Sequence, residues 1–236
     1  MVDEQRFVEY LQHFGLTRQE AVLYQKLLLH GKQTGYELSK ETGISRSNVY
    51  GALSVLAEKG AAYVMEGSPK KYIPVRLEEF CENCICRMKE EKDWMIANLP
   101  GEKIVEEGYI TIEGEANIRD KVKNLLRSAE ERVYISCTAE LLGLFSGDIR
   151  ELAEKKRKVV IITDADVSFT GCMIYISEEK GRQIGIIADS KFVLSGEYGE
   201  GSMNTCLYSG QKNFVMLFKT ALANEIKLIT LSKGEQ

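Results

Sequence analysis

Residues 42–60 read TGISRSNVYGALSVLAEKG, and this stretch decides the fold of the first part of the chain. Gly43 predicts the end of one helix, because glycine adopts a positive φ without steric cost. Ser45 predicts the N-cap of the next helix. Apolar residues then recur at helical spacing and predict the buried face of that helix: Val49, Leu53 and Leu56. Two helices joined by a tight glycine turn are typical of a helix-turn-helix motif.

The predicted start of the second helix is polar on the face that a core would not cover. All of the side chains there can donate a hydrogen bond, and such donors contact base edges and phosphates in a major groove. The alternative interpretation is a merely solvated helix face. The order of capped helices, glycine turn, polar end and following hairpin favours DNA binding. The candidate DNA contacts are Ser45, Arg46, Ser47, Asn48 and Tyr50.

A predicted hairpin follows this helix and would form the wing of a winged helix-turn-helix domain. Residues 62–66 and 71–75 are short β-prone runs, and Gly67-Ser68-Pro69 predicts the turn between them. Lys70 and Lys71 lie on this wing, where a positive charge would reach the DNA backbone. They are therefore the candidate phosphate contacts.

Two runs in this part of the chain resemble the winged-helix domain of the TrmB family of transcriptional regulators. They are LTRQEAVLYQKLL at residues 16–28 and SRSNVYGALSVLAEKG at residues 45–60. The resemblance extends over roughly residues 5–76. It implies dimeric binding to a double-stranded DNA operator, with the helix that starts at Ser45 in the major groove.

Residues 77–99 contain no glycine or proline and predict a long linker helix after the first domain, residues 1–76. A lone helix with one apolar seam must bury it, and we expect two protomers to pair through it as a homodimer. The alternative is that the seam packs on the second domain of the same chain. The apolar residues follow steps of about 3.5 residues, the spacing of a coiled coil: Leu77, Cys81, Cys84, Met88 and Met95.

Cys81, Cys84 and Cys86 lie close together on this helix. Closely spaced thiolates can bind zinc or an iron–sulfur cluster, or act as a redox switch. However, no histidine or fourth cysteine lies nearby, and a regular helix directs Cys86 away from Cys81. Cysteine is also a good small apolar residue in a seam. We therefore expect no metal and no cofactor, and a metal- or redox-responsive regulator stays as an alternative.

Residues 108–236 alternate helical and apolar β-prone segments, which predicts an α/β second domain with a mixed sheet. The segment from Asp189 through Lys191 to Gly196 resembles the H-x-K-x-x-x-x-D signature of the phospholipase D-like fold. The TrmB family carries a domain of that fold as its effector module. The resemblance therefore implies a two-domain chain, with a winged head and a phospholipase D-like α/β domain, and the coiled-coil linker helix predicted from the apolar spacing joins them.

The signature has lost the residues that its phosphodiester chemistry requires. The histidine position holds Asp189 and the aspartate position holds Gly196, so only Lys191 remains. The reaction needs an imidazole nucleophile, and the two histidines, His13 and His30, both lie in the first domain. We therefore expect no enzyme and no catalytic residues. An enzyme acting on a phosphorylated or sugar substrate stays as an alternative.

Polar side chains at the predicted strand ends form the candidate effector site. Hydroxyls and carboxylates suit a small ligand such as a sugar or another polyol, and ligands in α/β sheets gather at strand ends. The alternative interpretation is that these residues are ordinary caps and turns, Asp164 especially. The candidate effector contacts are Ser136, Thr138, Thr163, Asp164, Asp189, Lys191 and Tyr198.

Composition narrows the class of protein further. No apolar run approaches the roughly 20 residues that span a bilayer, so we expect no membrane partner. Six cysteines without scaffold spacing are typical of reduced thiols in a cytoplasm. Residues 1–76 carry ten basic and eight acidic side chains, in a chain with a net charge of −4. A mildly basic head suits a local DNA contact and argues against indiscriminate coating of nucleic acid.

Overall fold

The computed structural model describes residues 4–100, 108–177 and 180–234, and the chain divides into two compact units. The first unit is Met1–Glu102 and the second is Lys103–Gln236. Among the described residues, no helix is long and apolar enough to cross a membrane.

The first unit is a winged helix-turn-helix followed by a long helix, as the sequence predicts. Its small antiparallel sheet has the strand order β1-β3-β2, in which β2 and β3 form the predicted hairpin. The two-residue strand β1 is not apparent in the sequence pattern. The elements are α1 (Glu4–His13), α2 (Arg18–His30), β1 (Gln33–Thr34), α3 (Gly35–Thr42), α4 (Arg46–Glu58), β2 (Ala62–Met65), β3 (Lys71–Pro74) and α5 (Leu77–Ala97).

Local capping explains where the helices of the first unit begin and end. Thr34 and Glu37 form a capping box at the start of α3, which satisfies backbone donors that the first helical turn leaves free. Gly43 adopts a left-handed conformation with φ 72° and ends α3, which confirms the predicted turn. The Ser45 hydroxyl then accepts a hydrogen bond from the backbone N–H of Asn48 at 3.4 Å and caps α4.

The first half of α5 packs into the core of the winged head. The Phe80 ring lies edge-on to Tyr24 with centroids 5.3 Å apart, and Cys84 is buried in the same apolar cluster. Leu77 and Cys81 pack against that cluster as well. The predicted dimer seam is therefore wrong for these first three positions, since they make intramolecular contacts. The apolar spacing in the sequence did not include Phe80. Because Phe80 is buried, the side of α5 that packs on the head differs from the predicted seam.

The second unit is built on a seven-stranded mixed sheet with the order β4-β10-β9-β8-β5-β6-β7. Strands β5, β6 and β7 run parallel, and the other pairings are antiparallel. The elements are β4 (Tyr109–Glu113), α6 (Glu115–Ser128), β5 (Arg132–Ser136), α7 (Ala139–Leu144), α8 (Ser146–Glu154), β6 (Lys158–Thr163), β7 (Met173–Ile176), β8 (Gln183–Ala188), β9 (Phe192–Glu197), β10 (Thr205–Ser209) and α9 (Lys212–Gly234).

Helices cover the two faces of this sheet unequally. The main core lies between one face and α6, α7 and α8, whereas α9 packs on the other face through Val215 and its neighbours. The sequence predicts one helix over residues 139–156, and this is wrong. The chain breaks at Phe145, whose ring is buried in the main core between α7 and α8.

Candidate nucleic-acid interface and candidate effector pocket

The start of α4 presents the predicted DNA contacts outside the wing to solvent. Val49, Leu53 and Leu56 on the opposite side of the helix are completely buried, so packing fixes which face points outward. Apart from the capping bond of Ser45 and the packing of Tyr50, none of the polar side chains at this end serves the core. The exposed residues are Ser45, Arg46, Ser47, Asn48 and Tyr50.

The arginine of this surface contacts a tyrosine that is not among the predicted DNA contacts. The Arg46 guanidinium lies over the ring of Tyr36, 4.5 Å from its centroid, which is the geometry of a cation–π contact. Tyr36 is the second residue of α3 and is half exposed. The only sequence signal is an aromatic residue on the polar side of a short helix. The contact restricts the arginine before any DNA arrives.

Tyr50 joins α4 to the start of α3. A Cβ atom on Gly35 would lie 2.6 Å from the Tyr50 ring, so only glycine leaves room for this packing. Tyr50 as a whole is still 43% exposed. It therefore combines a structural contact with a surface that solvent reaches.

The wing offers less free positive charge than its two lysines suggest. The Lys70 ammonium pairs with the carboxylate of Glu66 at 3.1 Å, on an exposed surface. Lys71 is half-buried and lies near Glu37. The backbone and hydroxyl hydrogen bonds of Thr34 lower the pKa of Glu37, and Lys71 adds to that effect. A phosphate at the wing would have to exchange with these carboxylates.

The predicted effector contacts do not form one site, because they lie at opposite ends of the strands of the large sheet. Ser136 ends β5 and Thr163 ends β6, and these parallel strands bring both residues to the same edge. Asp189 follows β8, which is antiparallel to β5, and it contacts Arg132 at the amino end of β5. Lys191 is exposed in the turn that follows Asp189.

Thr138 and Asp164 act as caps of α7. The Thr138 hydroxyl accepts the backbone N–H of Leu141 at 3.3 Å, and an Asp164 carboxylate oxygen accepts that of Ala139 at 2.8 Å. Thr163 is completely buried beneath them and donates to Asp164 at 3.4 Å. The structure therefore gives these three residues internal partners.

The Asp189 side chain links the turn after β8 to the backbone at the start of β5. Its carboxylate accepts the backbone N–H groups of Glu130, Glu131 and Arg132 at 2.8–2.9 Å. Burial opposes ionisation of this carboxyl group, but the three backbone donors outweigh burial and lower its pKa. The histidine position of the resembled signature thus holds a structural acceptor.

Tyr198 lies inside the main core instead of lining an open site. It is 1% exposed, and its ring packs against Phe145 with centroids 6.3 Å apart. Its buried hydroxyl has no hydrogen-bond partner among the described residues. Burial is the main cause that raises its pKa.

A polar cavity of about 210 Å³ lies between α9 and the sheet, and Ser136 is the predicted residue that lines it. Lys180 donates to the Ser136 hydroxyl at 2.8 Å and also pairs with the carboxylate of Glu225. The Lys180 side chain is only 6% exposed, and Ser195 lines the same cavity. No local sequence pattern marks Lys180 or Glu225, which are distant in the chain and meet only in the fold.

The cysteines of α5 have different surroundings. Cys84 is buried beside Arg87, Cys81 is half-buried, and Cys86 is exposed. Burial raises the pKa of the Cys81 thiol, which disfavours the reactive thiolate. Within residues 4–100, 108–177 and 180–234, no group of three or more histidine, cysteine or acidic residues is arranged to hold a metal ion.

Two models of one protein family match the chain. The family described as "Sugar-specific transcriptional regulator TrmB" matches residues 11–78. The model described as "Transcriptional regulator TrmB, EBD N-terminal subdomain" matches residues 108–194. Together they match more than half of the chain, and they fall on the winged head and on the second unit.

Individual proteins show the same similarity. The chain is 31% identical over 172 residues to the sugar-sensing transcriptional regulator TrmBL1 of Pyrococcus furiosus, which covers 70% of this chain and 49% of that protein. The chain thus spans about half the length of TrmBL1. The structure of the archaeal chromatin protein TrmBL2 matches at 21% identity and TM-score 0.43, over 94% of this chain and 98% of that one. Nuc of Salmonella typhimurium, a phospholipase D family member, matches at 12% identity and TM-score 0.38, over 50% and 93%.

Proposed function

The chain belongs to the TrmB family of transcriptional regulators, and on that basis we propose that it binds operator DNA as a homodimer under the control of a small ligand. The observation that carries the proposal is the start of α4. There a side-chain set of Arg46, Ser47 and Asn48 is exposed on a helix whose other face is fully buried. Such a helix can enter a major groove without giving up any core contact.

The roles of these side chains follow from their chemistry. A guanidinium makes two parallel hydrogen bonds to the O6 and N7 atoms of guanine, and an asparagine amide does the same with adenine. Arg46 and Asn48 are therefore the proposed base contacts. Ser47 and Tyr50 carry single hydroxyls and suit phosphate oxygens, as do Lys70 and Lys71 of the wing.

Binding to the DNA upstream of the protein's own gene, across a salt series, tests this function. We expect affinity to fall with salt as phosphate contacts release counterions. Arg46→Ala and Asn48→Ala should each weaken binding by about 1–3 kcal/mol. Arg150→Ala, which removes an exposed arginine of α8 in the second unit, is the matched control and should bind as wild type. An absence of binding to any genomic fragment would overturn the proposal.

We propose that the dimer contact lies on the exposed apolar residues of α5 from Ile85 onward. Ile85, Met88 and Met95 are 42%, 50% and 57% exposed, and their spacing continues the steps of a coiled-coil seam. Exposed methionine and isoleucine in one row need a partner helix. Met88→Glu should therefore produce monomers in sedimentation experiments and lower DNA affinity. Cys86→Glu adds the same charge on another side of the helix and should leave the dimer intact.

The ligand of the second unit is proposed to be a small polyol in the cavity that contains Ser136. The hydroxyls of Ser136 and Ser195, the Lys180 ammonium and the Glu225 carboxylate supply both donors and acceptors there. Sugar hydroxyls pair with such a mixed set. A sugar panel should therefore change DNA affinity of the wild type, and Ser195→Ala should weaken that response more than Ser168→Ala in an exposed loop.

The proposed mechanism is a population shift. A ligand that binds one arrangement of the two second units better than another changes the spacing of the two α4 helices in the dimer, and thereby operator affinity. Small-angle scattering of the dimer with and without an active sugar measures this spacing. Identical scattering curves at saturating ligand would contradict the mechanism.

A further inference from the structure

A second cavity on the sheet has a different chemistry from the polar one. It has a volume of about 380 Å³ and lies on the sheet face that α9 covers, beside β5, β6 and β7. This volume falls within the range of about 300–1,000 Å³ that small-ligand sites occupy. The polar cavity is smaller, at about 210 Å³. The two linings share Ile187 and Leu222, so the larger cavity is a candidate site that adjoins the polar one.

The walls of this cavity are apolar and aromatic. Val160 and Ile187 contribute from the sheet, and Leu222 and Ile226 contribute from α9. Tyr134 and Tyr175 line it as well, and they offer ring faces to an aromatic or branched aliphatic group.

Among the residues that the structure describes, every charged residue lining the cavity is a lysine. They are Lys158 at the start of β6, and Lys219 and Lys227 on α9. All three are exposed, and no described residue forms an ion pair with any of them. The described part of the lining contains no aspartate or glutamate, in a chain whose net charge is −4. Positive charge beside apolar walls suits an anion with an apolar body.

We propose that this cavity binds a small amphipathic organic acid. Its aromatic or branched body would lie between the tyrosines and the apolar side of α9, and its carboxylate would face Lys158, Lys219 and Lys227. The occupant differs from a polyol, which has no apolar body to bury. The site does not depend on DNA binding, because each of its residues belongs to the second unit.

Calorimetric titration of the full-length protein with 2-naphthoate tests the site, and 2-naphthalenemethanol serves as the neutral isostere. We expect one molecule of naphthoate per chain and about tenfold weaker binding of the alcohol, since hydrogen bonds to charged groups are the stronger ones. Ala223 lines the cavity at an exposed position of α9, so Ala223→Glu adds a repelling carboxylate without disturbing the core. Thr220→Glu adds the same charge at another exposed position of α9 and is the matched control.

Loss of naphthoate binding in Ala223→Glu, with binding retained in Thr220→Glu, would support the proposal. Replacing the three lysines by glutamine should weaken naphthoate but not the alcohol, whereas glutamine at Lys123, Lys155 and Lys212 should affect neither. No naphthoate binding by the wild type would overturn the proposal, and so would equal binding of the neutral alcohol. A change of oligomeric state in Ala223→Glu without any naphthoate binding would overturn it too, and would assign this face to a second copy of the chain.

Discussion

The winged head and the second unit both place polar residues at element ends, but those residues have different partners. At the start of α4, Arg46, Ser47 and Asn48 are exposed, and no backbone group of the core depends on their side chains. In the second unit, Asp164 and Asp189 each accept backbone hydrogen bonds. The same residue types can therefore bind a ligand or hold the fold. A side chain that accepts hydrogen bonds from the backbone of its own unit stabilises the fold, and one without such partners is free to bind a ligand.

The largest expected effect is on stability and comes from Asp189. Asp189→Ala leaves three backbone N–H groups without their acceptor and should lower the free energy of unfolding of the second unit by about 2–3 kcal/mol. Circular dichroism during urea unfolding measures this loss. Asp166→Asn, in an exposed loop, is the control. An unchanged midpoint in Asp189→Ala would mean that the carboxylate is free to bind a ligand after all.

The same carboxylate makes stability depend on pH. Its pKa is lowered in the folded chain, so its stabilising contribution is fully present above the unfolded pKa of about 3.9 and is lost as pH falls through the lower folded value. Wild-type stability should therefore decline below about pH 4. Asp189→Asn should be less stable at pH 7 and should show a shallower decline, as followed by unfolding curves between pH 7 and pH 3.

A smaller loss of stability is expected at the cap of α7. Thr138→Ala removes the hydroxyl that accepts the Leu141 N–H and should cost about 1 kcal/mol. Thr138→Ser keeps the hydroxyl and should stay close to wild type. If Thr138→Ala instead left unfolding unchanged and abolished a sugar response, Thr138 would belong to the ligand site.

In the head, Tyr36 should affect DNA binding and leave stability unchanged. Tyr36→Leu removes the ring beneath Arg46 and should weaken operator binding by about 0.5–1 kcal/mol, the size of an exposed cation–π contact. Tyr36→Phe keeps the ring and should restore most of the affinity. Equal losses in both variants would point to the tyrosine hydroxyl as a direct DNA contact.

The smallest effect is expected at the wing. Lys70→Ala should reduce affinity by less than about 0.5 kcal/mol, because Lys70 already pairs with Glu66 on an exposed surface. Glu66→Gln frees the lysine and should strengthen binding slightly at low salt. Binding titrations at two salt concentrations compare the variants, and a large loss in Lys70→Ala would show that the wing contributes more than its geometry suggests.

Local features of the sequence predicted the head well. The cap at Ser45, the turn at Gly43 and the buried face of α4 depend on residues within a few positions of one another, and the structure confirms them. The contact between Tyr36 and Arg46 was not predicted, because it depends on how α3 packs against α4. The spacing of residues within one helix gives no information on the angle between α3 and α4.

In the second unit, the decisive contacts join residues that are distant in the chain. Asp189 meets the backbone of Glu131 only because β8 pairs with β5, and Lys180 meets Glu225 only because α9 returns across the sheet. Period and composition predicted the mixed sheet but not its strand order. Without the strand order, the sequence could not show which polar residues lie at the same end of the strands. The predicted effector contacts therefore included residues from both ends.

The most direct test of the central claim is a double-mutant cycle between Arg46 and the operator. Wild type and Arg46→Ala are titrated against operators in which each base pair is replaced in turn. We expect the two proteins to differ at the native operator and to bind equally once one symmetric base pair in each half-site is replaced, since only there does the guanidinium contact a base. An equal loss from Arg46→Ala on every operator would contradict base reading by α4 and would leave Arg46 as a phosphate contact.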